Sequence, residues 1–439
     1  MVPGMKDFID ITIETLGARG DGIGRLEGGQ KVFVPAVLPG ERVTVELGEA
    51  GQDGVRARLH GFQSSSPDRV PPPCIHFGIC GGCALQHLND ESYRRFKMEQ
   101  VTGALNRAGV TPKSIEGPFI SPPHARRRAV MAAYRDEEKL VVGFNEQRSI
   151  KIVDQQMCPI LKPRLEGLVP ALRVALMGIL QAGQGLDIAM MESGGDVDLV
   201  MRPWVKKKKG DVDHLPRHIM ERLAAFAEEN DIARVSWQPS SDNEEEVLQV
   251  AWRKPFTIDF SGVRVTPPAG AFLQATQEGE DLLAASVLAA FGKKTKKVVD
   301  LFAGCGTFTF AMARAKYKVH AVEGFAPAVE ALRSAMPGSP VTVERRDLTH
   351  EPLLHKELDQ YDAVVLDPPR VGAAEQVKMI KRSQVMLVVY VSCSVTSFAK
   401  DAAVLAEGGF YLDKLTVVDQ FLWSPHVELV GVFRRKSKY

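Results

Sequence analysis

Val298-Val299-Asp300-Leu301-Phe302-Ala303-Gly304-Cys305-Gly306-Thr307 reads as a buried strand that breaks into a glycine turn and then enters a helix. Two related arrangements follow it. Ala363-Val364-Val365-Leu366 stops at Asp367-Pro368-Pro369-Arg370, and Val388-Val389-Tyr390-Val391 stops at Ser392-Cys393-Ser394. Unbroken apolar, β-branched runs of this kind suit strands covered on both faces, as in a parallel sheet. Further strands are expected at 318–323, 341–347, 410–418 and 428–435, with a helix over 326–336. The chain from about residue 261 is therefore a doubly wound α/β domain. Such open sheets place their chemistry at the carboxyl ends of the strands. The reading brings a thiol, Cys393, and a carboxylate, Asp367, to one sheet edge. Taken alone, Cys393 is better accounted for as a small buried hydrophobe; the neighbouring Asp367-Pro368-Pro369-Arg370 and the glycine loop reverse that preference.

The glycine turn narrows the ligand. Gly304 and Gly306 permit a tight turn and close approach of backbone to a bound group. Glu323, closing the next strand, is placed to hold two ribose hydroxyls. The loop is not Gly-x-Gly-x-x-Gly and carries no lysine in P-loop spacing, which disfavours a dinucleotide and a nucleoside triphosphate. A nucleoside without pyrophosphate fits better, and S-adenosylmethionine is the obvious candidate. Cys393 then acquires a role. Carbon 5 of uracil is a poor nucleophile, but a thiolate adding at carbon 6 makes an enolate that can attack an electrophilic methyl group. A base must afterwards remove the carbon 5 proton. Glu428, opening the last strand in His426-Val427-Glu428, is the first candidate and His426 the second; a surface carboxylate is the plain alternative for Glu428. Asp367 is expected to hold the uracil edge.

The 439 residues have room for two to four domains, and 45% hydrophobic with 25% charged residues is ordinary globular composition. The net charge of +1 advertises no global field for nucleic acid, so an RNA site has to be a local patch. There is no apolar run of membrane-spanning length and no signal-peptide core, and a cytoplasmic protein without an obligate protein partner is expected.

Residues 1–62 alternate as a small β-barrel, with strands at Phe8–Ile13, Lys31–Val34 and Arg42–Leu47. Arg19, Arg25, Lys31, Arg56 and Arg58 supply charge for phosphate contact or plain solvated surface. Residues 63–73 are a linker by composition, and 63–260 a central α+β domain. It opens on Cys74, Cys80 and Cys83, with Cys158 far downstream before Pro159. This three-plus-one spacing suits a tetrahedral thiolate site and leans towards a 4Fe–4S cluster over zinc. A helix is expected over 90–109 and another over 165–180. Arg126-Arg127-Arg128 enters a strand and reads equally as a grip on RNA backbone or a solvated edge. Lys206–Lys209 is a basic loop tip, usually just solvated.

At these residues the resemblance is plain. Gly20-Asp21-Gly22-Ile23-Gly24, Val32-Phe33-Val34-Pro35 and Leu38-Pro39-Gly40-Glu41-Arg42-Val43 resemble a TRAM domain, an OB-like RNA-binding barrel. The four cysteines, Asp300–Phe308, Asp367-Pro368-Pro369-Arg370, Tyr390-Val391-Ser392-Cys393 and His426-Val427-Glu428 resemble the S-adenosylmethionine-dependent RNA uridine-5 methyltransferases, in particular the bacterial iron–sulfur members acting on 23S ribosomal RNA. The resemblance spans nearly the whole chain. It implies Cys393 as nucleophile and Glu428 as base. It also implies cofactor contacts from Gln274, Asp300, Phe302, Gly304, Gly306, Glu323 and Asp367, and cluster ligands in Cys74, Cys80, Cys83 and Cys158. It implies a uridine of 23S ribosomal RNA as target, with a transfer RNA uridine as the alternative, and a helix 90–109 that packs on the catalytic domain. The family usually has asparagine where Thr276 and Ser394 stand.

Overall fold

The computed structural model describes residues 8–204, 215–239, 247–335 and 340–435. Lys206–Lys209 lies outside them. The C-terminal sheet has eight strands, in the spatial order Val341–Arg345, Lys318–Glu323, Lys297–Leu301, Ala363–Leu366, Leu387–Ser392, Glu428–Arg435, Phe410–Asp419 and Ser114–Ile120. The first five run parallel, and Glu428–Arg435 is antiparallel to both of its neighbours. Val298, Val299, Val364, Val365, Val388 and Val389 are fully buried, as strands covered on both faces require. The strand order reverses between Lys297–Leu301 and Ala363–Leu366, which opens a crevice at their carboxyl ends.

Two pieces of this unit come from far upstream. Strand Ser114–Ile120 pairs with Phe410–Asp419 at the sheet edge. Helix Asp90–Arg107 starts at Asn89, whose side chain accepts from Ser92 N at 2.9 Å, and Val110 N bonds back to Leu105 O at its end. It buries Val101, Ala104 and Leu105 in the core that contains Tyr390, Phe398 and Leu429. Burial of that Val and Leu is worth roughly 1.5–3 kcal/mol each, so the helix is part of the C-terminal core despite its position in the chain.

The N-terminal sheet has six strands and is a curled half-barrel around Ile11, Ile13, Val32, Val34, Val43 and Val45. Between the two lies a seven-stranded sheet whose central strands are Arg128–Arg135, Gly185–Ser193 and Asp196–Pro203, with helices Val169–Met177 and Arg217–Glu229 on one face. The single helix expected over 165–180 is broken into Pro163–Glu166 and Val169–Met177. Pro170 has no N–H to continue the first helix and instead sits in the opening turn of the second. Among the described residues no helix is long and apolar enough to cross a membrane.

Candidate active site

The sheet register decides what meets what. Ser392 pairs with Leu429 across the antiparallel ladder, so Cys393 and Glu428 are the next residues outward on their two strands. Asp367 follows the neighbouring strand Ala363–Leu366, whose Leu366 pairs with Tyr390. Thiol and two carboxyls thus converge from three adjacent strands at the carboxyl edge. Cys393, Arg370 and His426 line a cleft of about 640 Å³ that runs along helix Asp90–Arg107 to the half-barrel loop 14–19.

Confinement pushes the acids towards their neutral forms. Burial raises Asp367 to about 8, helped by the Asp300 carboxylate, and burial raises Asp300 to about 7. Glu428 is raised well above the carboxylate range by burial and then by Asp367, opposed by a hydrogen bond from Gln420 and by Arg128 and Arg370. Cys393 is pushed up to about 11 by burial and by Glu428 and Asp367, with Arg370 working the other way. His426 is lowered by burial and by the cations Arg370, Lys97 and Arg126, so its imidazole is neutral near pH 7.

The glycine loop sits beside this group. Phe302 closes its strand with φ +62, Gly304 has φ +54 and Gly306 φ +106. A Cβ on Gly306 would lie 2.3 Å from the Phe310 ring, whereas one on Gly304 would meet nothing within 4 Å. Gly306 is thus required by packing, and Gly304 leaves open space for a ligand against the backbone. Glu323 accepts from Gly304 N at 2.9 Å and Phe325 N at 2.7 Å, which fixes its carboxylate under the loop. Asp300 accepts from Thr309 Oγ1 at 2.5 Å through one oxygen, and its other oxygen is buried without a partner. An orphaned buried acceptor, an open glycine and a fixed carboxylate fit a hydroxyl- and amine-bearing nucleoside. Gln274 is buried and donates to Asp367 Oδ2 at 3.3 Å.

The two departures from asparagine have a local account. Thr276 caps helix Gln277–Ala289, accepting from Gly279 N at 3.0 Å, and Ser394 caps helix Val395–Glu407, accepting from Ser397 N at 3.3 Å. Asparagine, serine and threonine all serve as helix N-caps, so either letter supports the same turn.

The arginine triplet neither grips a surface nor edges into solvent as a set. Arg127 is buried, pairing with Glu280 Oε2 at 2.6 Å and bonding Gln274 O at 3.1 Å. It locks the 274–280 segment onto the central sheet. Arg128 stands over the Phe272 ring at 4.2 Å and lies close enough to feel both Glu428 and Cys393. Arg126 is influenced by Cys158, Cys83 and Arg370 together, and so lies between the cysteine loop and the crevice. Among the half-barrel cations, Arg25 pairs with Glu14 and Arg56 with Asp21, while Arg19 lines the cleft.

The four cysteines are drawn together by other contacts. His76 Nε2 accepts from Gln156 N at 3.0 Å, joining the Cys74 segment to the Cys158 segment. Gly81 N bonds Asn145 O at 2.9 Å. Ala84 N and Leu85 N both bond the carbonyl of Trp423, tying the cysteine loop to the segment that leads to Glu428. Burial raises Cys83 to about 12 and Cys158 to about 11, and in each case neighbouring thiolates add to the rise. Among the described residues no three His, Cys, Asp or Glu side chains converge on one ion position.

Sequence reading passed over the residues that hold Glu428 and the turn before it. Lys97, fully buried, donates to Asp419 at 3.0 Å and to the carbonyls of Ser424 and His426 at 2.6 Å each. Tyr93 donates to Asp419 Oδ2 at 2.5 Å and accepts from Trp423 N. Gln420 bonds Glu428 and Gln274. A lysine at a helical apolar position was the one available signal, and it looks like an ordinary surface charge until the fold buries it.

Comparison with known proteins follows the same division of the chain. Models of the TRAM domain and of the tRNA (Uracil-5-)-methyltransferase family match residues 7–59 and 343–437. An uncharacterized RNA methyltransferase of Agrobacterium fabrum is 40% identical over 97% of this chain and 99% of its own. One from Brucella suis is 42% identical over 97% of each. The 23S rRNA (uracil(1939)-C(5))-methyltransferase RlmD of Shewanella woodyi is 30% identical over 97% of this chain and 95% of its own. Among solved structures, the Pyrococcus abyssi tRNA (uracil-54, C5)-methyltransferase in complex with S-adenosyl-L-homocysteine has the same fold. Its TM-score is 0.74 at 23% identity, over 97% of this chain and 99% of that one.

Proposed function

The chain belongs to the RNA uracil-5-methyltransferase family, and we propose that it methylates carbon 5 of one uridine in 23S ribosomal RNA, in the cytoplasm, through a covalent Cys393 adduct. The observation that carries the mechanism is the ladder register that sets Cys393 beside Glu428 with Asp367 on the next strand. S-adenosylmethionine, when bound, supplies an electrophilic methyl group. The residues to hold it are Gln274, Asp300, Phe302, Gly304, Gly306 and Glu323.

The chemistry follows from the side chains. The Cys393 thiolate adds to carbon 6 of the flipped-out uracil, and the electron pair shifts to carbon 5 as an enolate. Asp367, whose carboxyl is pushed towards its neutral form by burial, hydrogen-bonds the uracil edge and supports that enolate. Carbon 5 would take up the methyl group as its bond to the donor sulfur breaks, the electron pair of that bond staying on sulfur. Glu428 then removes the carbon 5 proton, the electron pair re-forms the 5,6 double bond, and the carbon–sulfur bond breaks. Arg370 and Arg128 favour the thiolate against the two carboxyls. The target class rests on the 30% identity to the 23S ribosomal RNA enzyme; methylation of transfer RNA is the competing reading.

We assign the four cysteines to a 4Fe–4S cluster. What supports the reading is the three-plus-one spacing of Cys74, Cys80, Cys83 and Cys158, which leans towards a four-iron cube, in which each cysteine takes a different iron, over a single zinc. Its role here is to cross-link the cysteine loop with the Cys158 segment beside the crevice.

The test is Glu428→Gln with 23S ribosomal RNA fragments, transfer RNA and S-adenosylmethionine. A slow-migrating protein–RNA band on denaturing gels, lost in Glu428→Gln/Cys393→Ala, is expected with the ribosomal fragment. Its formation with transfer RNA alone overturns the target, and its absence with both overturns the mechanism.

A further inference from the structure

Gln420, the residue after strand Phe410–Asp419, is buried and makes three hydrogen bonds with its side-chain amide. Its Oε1 accepts from the backbone N–H of Ala275 at 2.7 Å. A backbone N–H only donates, so this contact fixes which end of the amide is oxygen. The Nε2 end must then be the donor to Gln274 Oε1, at 2.6 Å, and to Glu428 Oε1, at 3.1 Å. Gln274 is oriented in its turn: with its oxygen committed to Gln420, its own amide nitrogen faces Asp367 Oδ2 at 3.3 Å. The Ala275 N–H thus sets the polarity of a chain running Glu428–Gln420–Gln274–Asp367. Neither amide can flip without placing like against like.

Two consequences concern Glu428. Its Oε1 is held by a donor, while its Oε2 is buried with no partner, which leaves one defined oxygen to accept a proton. The Gln420 donor also favours the ionised carboxylate in a place where burial and Asp367 both disfavour it. We propose that Gln420 is a positioning residue for the proton-removal step, holding Glu428 in one orientation and in its basic form while fixing Gln274 at the cofactor side. This rests on the reading of Glu428 as the base. The Gln420 amide is committed to Ala275 N, Gln274 and Glu428, so it acts through Glu428 and Gln274.

The experiment compares wild type, Gln420→Leu and Glu428→Gln over pH 6 to 9.5, measuring turnover and covalent adduct together. Leucine keeps the volume and removes all three hydrogen bonds. Gln420→Leu is expected to lower kcat about 10²-fold near pH 7, the lower end of what a positioned base contributes. The KM for RNA is expected to stay within about twofold. The adduct should accumulate in the steady state, and activity should recover as pH rises, because Glu428 then ionises without help. A folded Gln420→Leu with the wild-type pH profile and no adduct overturns the proposal. A loss that is uniform in pH and without adduct also overturns it, since that is what damaged packing alone would give. If Gln420→Leu does not fold, Gln420→Glu keeps the acceptor for Ala275 N and sets an oxygen against Glu428, and the same two readouts decide. Adduct in Glu428→Gln shows that the base itself is correctly assigned, so failure of the Gln420 variants there refutes only this proposal. No adduct in Glu428→Gln, with turnover retained, refutes the base.

Discussion

Lys97→Met is the most exacting test of how Glu428 is held. Lys97 and Asp419 are both fully buried and 3.0 Å apart. The ammonium also bonds the Ser424 and His426 carbonyls, so one cation pins the turn that precedes Glu428. Burial lowers the lysine pKa and Asp419 opposes that, which makes each charge the other's main support. Methionine fills nearly the same space but leaves the Asp419 carboxylate with only Tyr93 OH and Phe421 N as partners. Removing one member of a buried pair costs about 3–5 kcal/mol. For a unit of 150–250 residues that lowers Tm by roughly 6–20 °C. Lys97→Met/Asp419→Asn removes both charges and keeps an acceptor for Phe421 N, so it should recover at least half the loss. Differential scanning calorimetry of the three proteins measures this. A single variant that melts within about 2 °C of wild type, or a double variant no better than the single, refutes the account.

Three further outcomes are expected. Gly304→Ala should fold at a cost of about 1 kcal/mol for its left-handed backbone and lose affinity for S-adenosylmethionine by calorimetric titration; Gly306→Ala, driven against Phe310, should lose several times that stability. With the Cys393 thiol near 11, its alkylation by iodoacetamide should rise about tenfold per pH unit between pH 7 and 9. The sign is that of an acid held neutral below its raised pKa, and a plateau below pH 8 would contradict it. On the proposed cluster assignment, anaerobically purified wild type should carry iron and visible absorbance that Cys158→Ser lacks, with a lower Tm; equal iron content in the two would remove Cys158 from the proposed ligand set.

What could be read from the sequence was whatever depends on local pattern. The apolar runs ending at Asp367 and Cys393 gave both the strands and the sheet edge, because parallel strands must be apolar on both faces. The Gly304–Gly306 turn was legible for the same reason: few residues other than glycine tolerate that backbone. The break at Pro170 was visible in the letters but hidden by the apolar spacing on either side of it. What could not be read was contact between distant segments. Nothing local marks Lys97 as the partner of Asp419, Gln420 as the link between Gln274 and Glu428, or Arg127 as a buried strut. In each case the meaning of a polar residue is set by burial, and burial is decided by elements more than a hundred residues away.

The Tyr93–Asp419 hydrogen bond joins residues 326 positions apart. At about 5–20 residues per second of synthesis, helix Asp90–Arg107 leaves the ribosome some 16–65 seconds before the strand it must pack beside. Through that interval Val101, Ala104 and Leu105 lack the C-terminal core they pack into, and strand Ser114–Ile120 lacks its partner Phe410–Asp419. The half-barrel, whose strands lie within residues 8–64, closes early; the crevice closes last. Cys393 is made thirty-five residues before Glu428, so a nascent chain carries its thiol before the structure that can use it. The sheet edge that carries Cys393 and Glu428 is therefore completed only when strand Glu428–Arg435 is made, and a chain cut short before it leaves Leu387–Ser392 and Phe410–Asp419 without the strand that joins them.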